Sequence, residues 1–175
     1  GLFVTGGFQF MFGQKVPSFD SSYSPLMMTL NVPYKEYIKA KWWLLNIVTL
    51  GSMVLALFYV YFGWEVYFTF FAAGLYNIGV NSQFTLLSGA YNKSPMDLNA
   101  AKKSMGKENN FSLKNILFVI PKMLVPMLVF GGANYFFGLV GGVVAIAIVG
   151  LIGFLLREKI FDWIIKLYKK EKYDT

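Results

Sequence analysis

One lysine lies in the interior of an otherwise apolar segment of the chain. Lys122 follows the start of the apolar run at Leu113 by about two turns of helix. A lysine in this position could bind an anionic group of a substrate or form a gating contact. Alternatively, its aliphatic stem could snorkel and place the ammonium among the nearer lipid headgroups. The sequence leaves both interpretations open.

Three polar residues share one helical face in a second apolar run. Asn77, Asn81 and Thr85 are spaced four residues apart, which places them on the same side of a helix. Together with Lys122 they could line a translocation path. The alternative is that they form hydrogen bonds across a helix interface, as such residues commonly do in membranes.

The residue types that are missing restrict the chemistry further. The 175-residue chain has no Cys and no His, which excludes disulfides, Cys/His zinc sites and His-based catalysis within it. It contains no G-x-x-x-x-G-K-[ST] phosphate loop. No two carboxylates face each other within the apolar runs, as an aspartyl protease or a proton pump would need. We therefore expect no catalytic residue, no metal and no cofactor in this chain, and an intramembrane enzyme is disfavoured.

The elements that must position these residues are transmembrane helices. The chain is 56% hydrophobic and 14% charged, which is too apolar for an ordinary soluble domain. A run of about twenty uncharged residues is long enough to cross a bilayer. The sequence predicts an all-α bundle with a truncated span at residues 1–13, complete spans at 43–62, 66–90, 113–130 and 135–156, and a basic amphipathic tail at 157–175 that lies along the headgroups.

Shorter features connect these spans. We expect a short interfacial helix that starts near Pro33 and runs into the first complete span. Tight turns are predicted at Gly63–Glu65 and Gly131–Asn134. Because the first residue is Gly and lies in an apolar run, we also expect an upstream part with at least one more span.

The basic residues predict the orientation. Apart from Lys122, every Lys and Arg falls in the segments 15–41, 93–114 and 157–172, and the two tight turns contain none. Because Lys and Arg concentrate in cytoplasmic loops, the three basic segments and the C-terminus are expected in the cytoplasm. The chain is thus predicted to be a multi-pass protein of a bacterial cytoplasmic membrane. Its net charge of +7 suits anionic lipid headgroups better than nucleic acid.

Small residues in the last span predict close helix packing. Gly138 with Gly142, and Gly141 with Ala145, form small-x-x-x-small pairs. Such pairs allow another helix to approach closely.

The first basic connection carries a resemblance to a known family. Residues 26–45 resemble the first intracellular loop of the permease subunits of type-two ABC exporters, in which a short run around a proline precedes a span. The matching positions are Val32, Pro33, Lys35, Glu36, Tyr37 and Lys41. Residues 19–27 are also similar to a group of uncharacterised bacterial multi-pass proteins associated with ABC ATPases. The resemblance implies that a coupling helix of Pro33, Tyr34, Lys35, Glu36, Tyr37 and Lys41 docks on a separate ATPase.

The function expected from this resemblance is that of an exporter permease. ATP hydrolysis would take place on the partner subunit, and the chain would pair with itself or with another permease half. The few charges in the spans favour a hydrophobic or amphipathic substrate. The alternative, from a different class, is a non-transporting membrane scaffold or assembly protein.

Overall fold

The computed structural model describes residues 2–9, 33–91 and 113–173, and all of its regular elements are helical. The elements are α1 (Leu2–Phe8), α2 (Tyr34–Leu55), a 3₁₀ segment (Ala56–Phe62), α3 (Trp64–Tyr76), a π segment (Asn77–Asn81), α4 (Ser82–Tyr91), α5 (Leu113–Leu155) and α6 (Arg157–Tyr173). The predicted all-α class is confirmed. The match at residues 19–27 and most of the second basic connection lie outside the described residues.

Helix α2 and its 3₁₀ continuation form one long rod. Pro33 precedes the helix with φ −61° and ψ 125°, and its carbonyl accepts hydrogen bonds from the backbone N–H groups of Glu36 and Tyr37. A proline at a helix start fixes the backbone near the required conformation and loses no internal hydrogen bond. No Pro follows within the 22 residues of α2. The rod therefore includes both the predicted interfacial helix and the predicted span at 43–62.

The chain reverses direction at Gly63. This residue has φ 129°, a backbone conformation that residues other than glycine rarely adopt. The rings of Tyr59 and Phe70 lie 4.4 Å apart between centroids, and a Cβ added at Gly74 would collide with the side chain of Met53. Helix α3 therefore runs back alongside α2.

Helix α5 is a hairpin with its turn at Gly138, where φ is 72° and ψ is −174°. A Cβ added at Gly142 would lie 3.2 Å from the carbonyl oxygen of Phe130, whereas twelve residues of continuous helix span about 18 Å. Residues 113–137 and 139–155 therefore lie side by side.

The predicted turn at Gly131–Asn134 is wrong, because these residues are helical. The predicted ends of the two flanking spans, at 130 and 135, shift accordingly. A physical reason lies in Tyr135, Phe136 and Phe137, which are all largely exposed directly before Gly138. Aromatic side chains favour the membrane–water interface, so the turn forms beyond them, at the glycine that tolerates a positive φ.

The closest backbone approach joins α3 and the π segment to the second half of α5. A Cβ added at Gly79 would overlap the carbonyl oxygen of Gly150, and one added at Gly153 would lie 2.6 Å from the carbonyl oxygen of Gly79. A Cβ at Gly150 would lie 2.7 Å from backbone atoms of Leu75 and Tyr76. Small residues thus bring these helices together, as is typical inside membranes.

The predicted packing residues lie elsewhere. Gly138 forms the turn, while added Cβ atoms at Gly141 and Gly142 would meet Phe137 and Phe130 of the same hairpin. Ala145 is half-buried in the second half of α5. Gly141 and Gly142 thus lie against the other half of the α5 hairpin, whereas Gly150 and Gly153 are the glycines of α5 that approach α3 and the π segment.

Helix α6 packs against the bundle through its apolar face. Phe161 and Ile164 are buried in one cluster with Ile38, Trp42, Leu45 and Leu86, which belong to α2 and α4. Trp163 of the same helix is 53% exposed. The tail thus forms the predicted basic helix. It buries part of its apolar face against α2 and α4, and the rest of that face is available to lipid.

The surface of the bundle is apolar over long stretches. Two helical stretches, Lys35–Phe62 and Ile120–Leu155, are long and apolar enough to cross a membrane, with mean hydropathies of 1.9 and 2.6. Only 28% and 17% of their most apolar windows are buried inside the protein. Core helices of soluble proteins bury such surfaces, so the exposed apolar faces indicate a membrane protein.

Candidate functional site

Polar side chains gather in the interior of the bundle. The buried ones are Thr5, Gln9, Asn46, Thr49, Asn77, Asn81, Ser82, Gln83, Thr85, Ser88 and Lys122. This distribution is the reverse of that in a soluble protein, because the surroundings of the helices are apolar and polar groups find partners only inside. The interior is therefore the candidate site.

The structure brings together the four residues that the sequence proposed as a path. Lys122 is only 1% exposed, and its Nζ donates a hydrogen bond of 2.9 Å to Oγ1 of Thr85. Thr85 Oγ1 in turn donates to the carbonyl oxygen of Asn81 at 2.7 Å. Asn81 Nδ2 donates to Oδ1 of Asn77 at 2.6 Å. The lysine side chain is thus directed into the bundle.

The same chain of hydrogen bonds continues into α1 and α2. Asn77 Nδ2 donates to Thr5 Oγ1 at 2.9 Å, and Gln9 Nε2 donates to Thr49 Oγ1 at 2.9 Å. Gln9 Nε2 also lies 3.3 Å from the carbonyl oxygen of Asn77, which accepts from it. The seven residues Thr5, Gln9, Thr49, Asn77, Asn81, Thr85 and Lys122 are called the interior polar network below.

Sequence reasoning did not identify Thr5, Gln9 and Thr49. Thr5 and Gln9 lie four residues apart in one short apolar run, and Thr49 follows Asn46 by three residues in another, but no spacing pattern linked them to Asn77. The available signal was their polarity itself, since a buried amide in a membrane helix requires a partner. Their partners depend on how α1 and α2 pack, which periodicity does not reveal.

The network is centred on an irregular stretch of helix. Asn77 begins the π segment, which ends at Asn81. The wider π turn changes the backbone hydrogen bonding, and such turns occur often at functional sites. Gly6 of α1 lies directly against the amide of Asn77, where an added Cβ would be 2.5 Å from Nδ2. The glycine therefore allows Asn77 to reach the backbone and side chains of α1.

Several interior polar atoms have no hydrogen-bond partner. Among the described residues they are Oε1 of Gln9, Nε1 of Trp42, the hydroxyl oxygen of Tyr76, Oδ1 of Asn81, and both Oδ1 and Nδ2 of Asn46. Met53 contacts Gly74, and this contact sets the antiparallel register of α2 and α3. In that register Asn46 and Asn81 lie at about the same level along the bundle axis. Buried polar groups without partners are costly, and in native proteins they require a specific explanation.

Lys122 has no acidic partner among the described residues. The ion pairs found there all join Lys35 or Lys39 to Glu158 or Asp162. An ammonium has three donors, and only the bond to Thr85 occupies one of them. A buried charge of this kind is normally paired, so Lys122 is suited to hold an anionic group.

A cavity of about 270 Å³ lies between α1, α3 and the two halves of α5. Leu2, Ala72, Pro126, Phe130 and Ile146 are among its lining residues, and of the described residues that line it only Thr69 has a polar side chain. The cavity adjoins the network, because the carbonyl oxygen of Leu2 accepts a hydrogen bond from Asn77 Nδ2 at 3.2 Å.

The segment that resembles a coupling helix is the first part of α2, and it is attached to α6. Lys35 Nζ lies 3.1 Å from Asp162 and 3.3 Å from Glu158, and Lys39 Nζ lies 3.3 Å from Glu158. Hydrogen bonds from Lys39 and Lys35 lower the pKa of the Glu158 carboxyl from its ordinary value.

The remaining residues of this segment differ in exposure. Pro33 and Glu36 are exposed and Tyr37 is half-buried. Lys41 lies over the ring of Tyr37, with Nζ 5.5 Å from the ring centroid. The side chain of Tyr34 lies outside the described part of the structure. Glu36 and Pro33 are thus the residues best placed to meet a partner.

No group of three or more acidic side chains that could hold a metal ion occurs among the residues that the structure describes. The interior site is instead built from hydroxyls, amides and one ammonium. Such groups can bind and orient an anion or a polar group by hydrogen bonding.

The fold and the site together define an all-helical membrane protein with a polar interior. The match of a family model over residues 1–175 shows that the chain belongs to a family of unknown function (DUF5687). No curated protein and no solved structure matches the chain.

Proposed function

We propose that this protein is the transmembrane permease component of an ATP-driven exporter of the ABC type, coupled to a separate ATPase through the Pro33–Lys41 segment. In this proposal the chain crosses a bacterial cytoplasmic membrane four times, with its basic ends in the cytoplasm. It does not hydrolyse ATP itself. A second permease half, identical or related, completes the transporter.

One observation carries the proposal: a single helix links the candidate docking segment to the interior polar network. Lys35 and Thr49 both belong to α2, which has no break between them, and fourteen residues of helix correspond to about 21 Å. Thr49 Oγ1 accepts a hydrogen bond from Gln9. A force applied at the start of α2 therefore reaches the network through a rigid rod.

The contacts of α2 suggest how the motion would spread. The buried cluster of Ile38, Trp42, Leu45, Leu86, Phe161 and Ile164 joins α2 to α4 and α6. A tilt of α2 would therefore move α4, which carries Thr85, and α6 together. Transporters of many kinds alternate between inward- and outward-open forms by such rigid-body movements.

The placement of the helix ends supports the four crossings. Lys35 and Lys39 of α2 contact Glu158 and Asp162 of α6, so two of the predicted cytoplasmic segments meet at one end of the bundle. The turns at Gly63 and Gly138 connect helices that run back from the opposite end. This arrangement agrees with the distribution of lysine and arginine that the positive-inside rule requires.

The proposal is tested by substitution of two docking residues, the exposed Glu36 and the half-buried Tyr37. We expect Glu36→Ala and Tyr37→Ala to weaken co-purification with an ATP-binding cassette ATPase and to reduce the effect of the permease on its ATPase rate. Glu65→Ala is the matched control, because Glu65 is also an exposed glutamate in the first turn of a helix, α3. Its substitution at the other end of the bundle should leave both measurements unchanged.

The scaffold alternative predicts a different result. A scaffold would retain its membrane partners without any ATPase, and its partners would be insensitive to Glu36→Ala. Failure to recover an ATPase from native membranes after cross-linking, under conditions that preserve other complexes, would favour the scaffold and overturn the proposal.

A further inference from the structure

We infer that Lys122 and the neighbouring apolar cavity together bind a single-chain amphipathic anion, such as a long-chain carboxylate, with the acidic group at Lys122 and the hydrocarbon chain in the cavity. That this anion is also the transported substrate rests on the proposed function. Its binding is tested without the ATPase.

The anionic end follows from the surroundings of Lys122. Its side chain is buried, donates to Thr85 Oγ1 and has no carboxylate beside it in the described ranges 2–9, 33–91 and 113–173. Two of its three donors are therefore available. Removing an unpaired charge from water is costly, and an anion that accepts the remaining hydrogen bonds offsets that cost.

The apolar end follows from the position of the cavity on α5. Lys122, Pro126 and Phe130 succeed one another at intervals of four residues and share one face of this helix, and Pro126 and Phe130 line the cavity. Four residues, about 6 Å of helix, separate Lys122 from Pro126 along the axis. The ammonium itself lies at Thr85, thirteen residues or about 20 Å of helix from the cavity-lining Ala72. A long hydrocarbon chain is therefore needed to extend from an acidic group at Lys122 into the cavity.

The volume favours one hydrocarbon chain over two. Pockets for drug-sized ligands measure about 300–1,000 Å³, and this cavity of about 270 Å³ is at the lower limit. Its wall of Leu, Phe, Ala, Met, Pro, Val and Ile side chains, with Thr69 as the polar exception, offers no group that would select a polar tail. A two-chain phospholipid would leave one chain outside the cavity.

The test uses the purified full chain in nanodiscs of zwitterionic phosphatidylcholine, with 11-(dansylamino)undecanoic acid as the fluorescent probe. Oleate and oleyl alcohol serve as competitors that differ only in the charged group, and acetate tests a free anion without a chain. We expect oleate to displace the probe, while oleyl alcohol and acetate do so weakly.

Three variants separate the two halves of the site. Lys122→Met should weaken oleate binding about tenfold or more, which corresponds to about 1.4 kcal/mol, and Lys122→Arg should largely retain it. Val143→Phe fills the cavity wall without altering a charge, and it should weaken oleate and oleyl alcohol alike. Lys159→Met is the control, since Lys159 is exposed on α6, and the affinity of this variant for oleate should match that of the wild type.

Equal oleate affinity in the wild type and in Lys122→Met overturns the inference, as does equal competition by oleate and oleyl alcohol in the wild type. If Lys122→Met does not fold, an unchanged affinity in Val143→Phe also overturns it. The two proposals fail separately. Lys122-dependent oleate binding without any ATPase partner would overturn the proposed function alone, and ATPase coupling without oleate binding would overturn this inference alone.

Discussion

Lys122 donates a hydrogen bond of 2.9 Å to Thr85, and both side chains are buried, at 1% and 0% exposure. The bond joins α5 to α4 in the interior of an apolar bundle. Among the described residues it is the one hydrogen bond that links Lys122 to the rest of the interior polar network. Its removal therefore has consequences for stability as well as for the proposed site.

We predict that Thr85→Val destabilises the protein by about 1–3 kcal/mol, because it leaves the Lys122 ammonium buried without a partner. The double variant Thr85→Val with Lys122→Met should recover most of that loss, since two apolar side chains can replace a buried polar pair. Unfolding in mixed detergent micelles measures both effects. Thr69→Val is a suitable control, because Thr69 bonds only to a backbone carbonyl of its own helix. A double variant that is less stable than Thr85→Val would contradict this account.

We predict that Gly79→Ala and Gly150→Ala each destabilise the bundle by about 1–3 kcal/mol, the usual effect of overpacking. An added Cβ at Gly79 overlaps the carbonyl oxygen of Gly150, and one at Gly150 meets the backbone of Leu75. Neither obstacle is a flexible side chain, so the helices must separate. Thermal unfolding of the purified protein measures the change.

Gly51→Ala is the matched control for these two variants. Gly51 lies in α2 with nothing within 4 Å of an added Cβ, so the substitution should stabilise the helix by about 0.5–1 kcal/mol. Equal effects of Gly51→Ala and Gly79→Ala would show that the close approach of the helices has no energetic importance.

The sequence was sufficient to predict the helical class and the membrane environment. Runs without charge, such as the one that ends at Phe62, have few alternatives to a helix in lipid, because only helices and closed barrels satisfy their backbone there. The shared face of Asn77, Asn81 and Thr85 was equally accessible, since a helical period determines it.

Features that depend on contacts between helices could not be predicted in the same way. The sequence offers two positions for the turn, Gly138 and the Gly131–Gly132 pair. Which of them forms the turn depends on where the preceding aromatic residues meet the interface. The partners of Gln9 and Thr49 depend on the packing of α1 and α2. The direction of the Lys122 side chain depends on Thr85, which is 37 residues away in the chain. None of these relationships has a local signature.

We predict that the contact between α2 and α6 weakens in acid. The folded-state pKa of Glu158 is lowered by hydrogen bonds from Lys39 and Lys35. Its contribution is therefore present above the carboxyl pKa of the unfolded chain and is lost as the pH falls through the lower folded-state value. The protection factors of the α6 amides, which correct for the slower intrinsic exchange in acid, should decrease across that acidic range, by a small amount because the pairs are exposed.

Glu158→Gln should reduce this pH dependence, since the pair of Lys35 and Asp162 remains, and it should increase exchange in α6 at neutral pH. Glu65→Gln is the control, since Glu65 forms no ion pair with another described residue. High salt should reproduce part of the effect in the wild type through screening. Equal protection factors of the α6 amides at neutral and acidic pH in the wild type would show that these ion pairs do not hold α6 in place.

We predict that the turns at Gly63 and Gly138 lie on the side of the membrane opposite to α6. The chain has no Cys, so single cysteines can be introduced without a background. Tyr61→Cys and Tyr135→Cys replace side chains that are 91% and 84% exposed, and both should react with a membrane-impermeant maleimide added to intact cells. Asp162→Cys should react only after the membrane is permeabilised.

Reaction of Tyr61→Cys from outside with Tyr135→Cys protected would mean that the α5 hairpin does not cross the membrane, because its two halves meet at Gly138. Reaction of all three from one side would contradict the four crossings and, with them, the access of an ATPase to the start of α2.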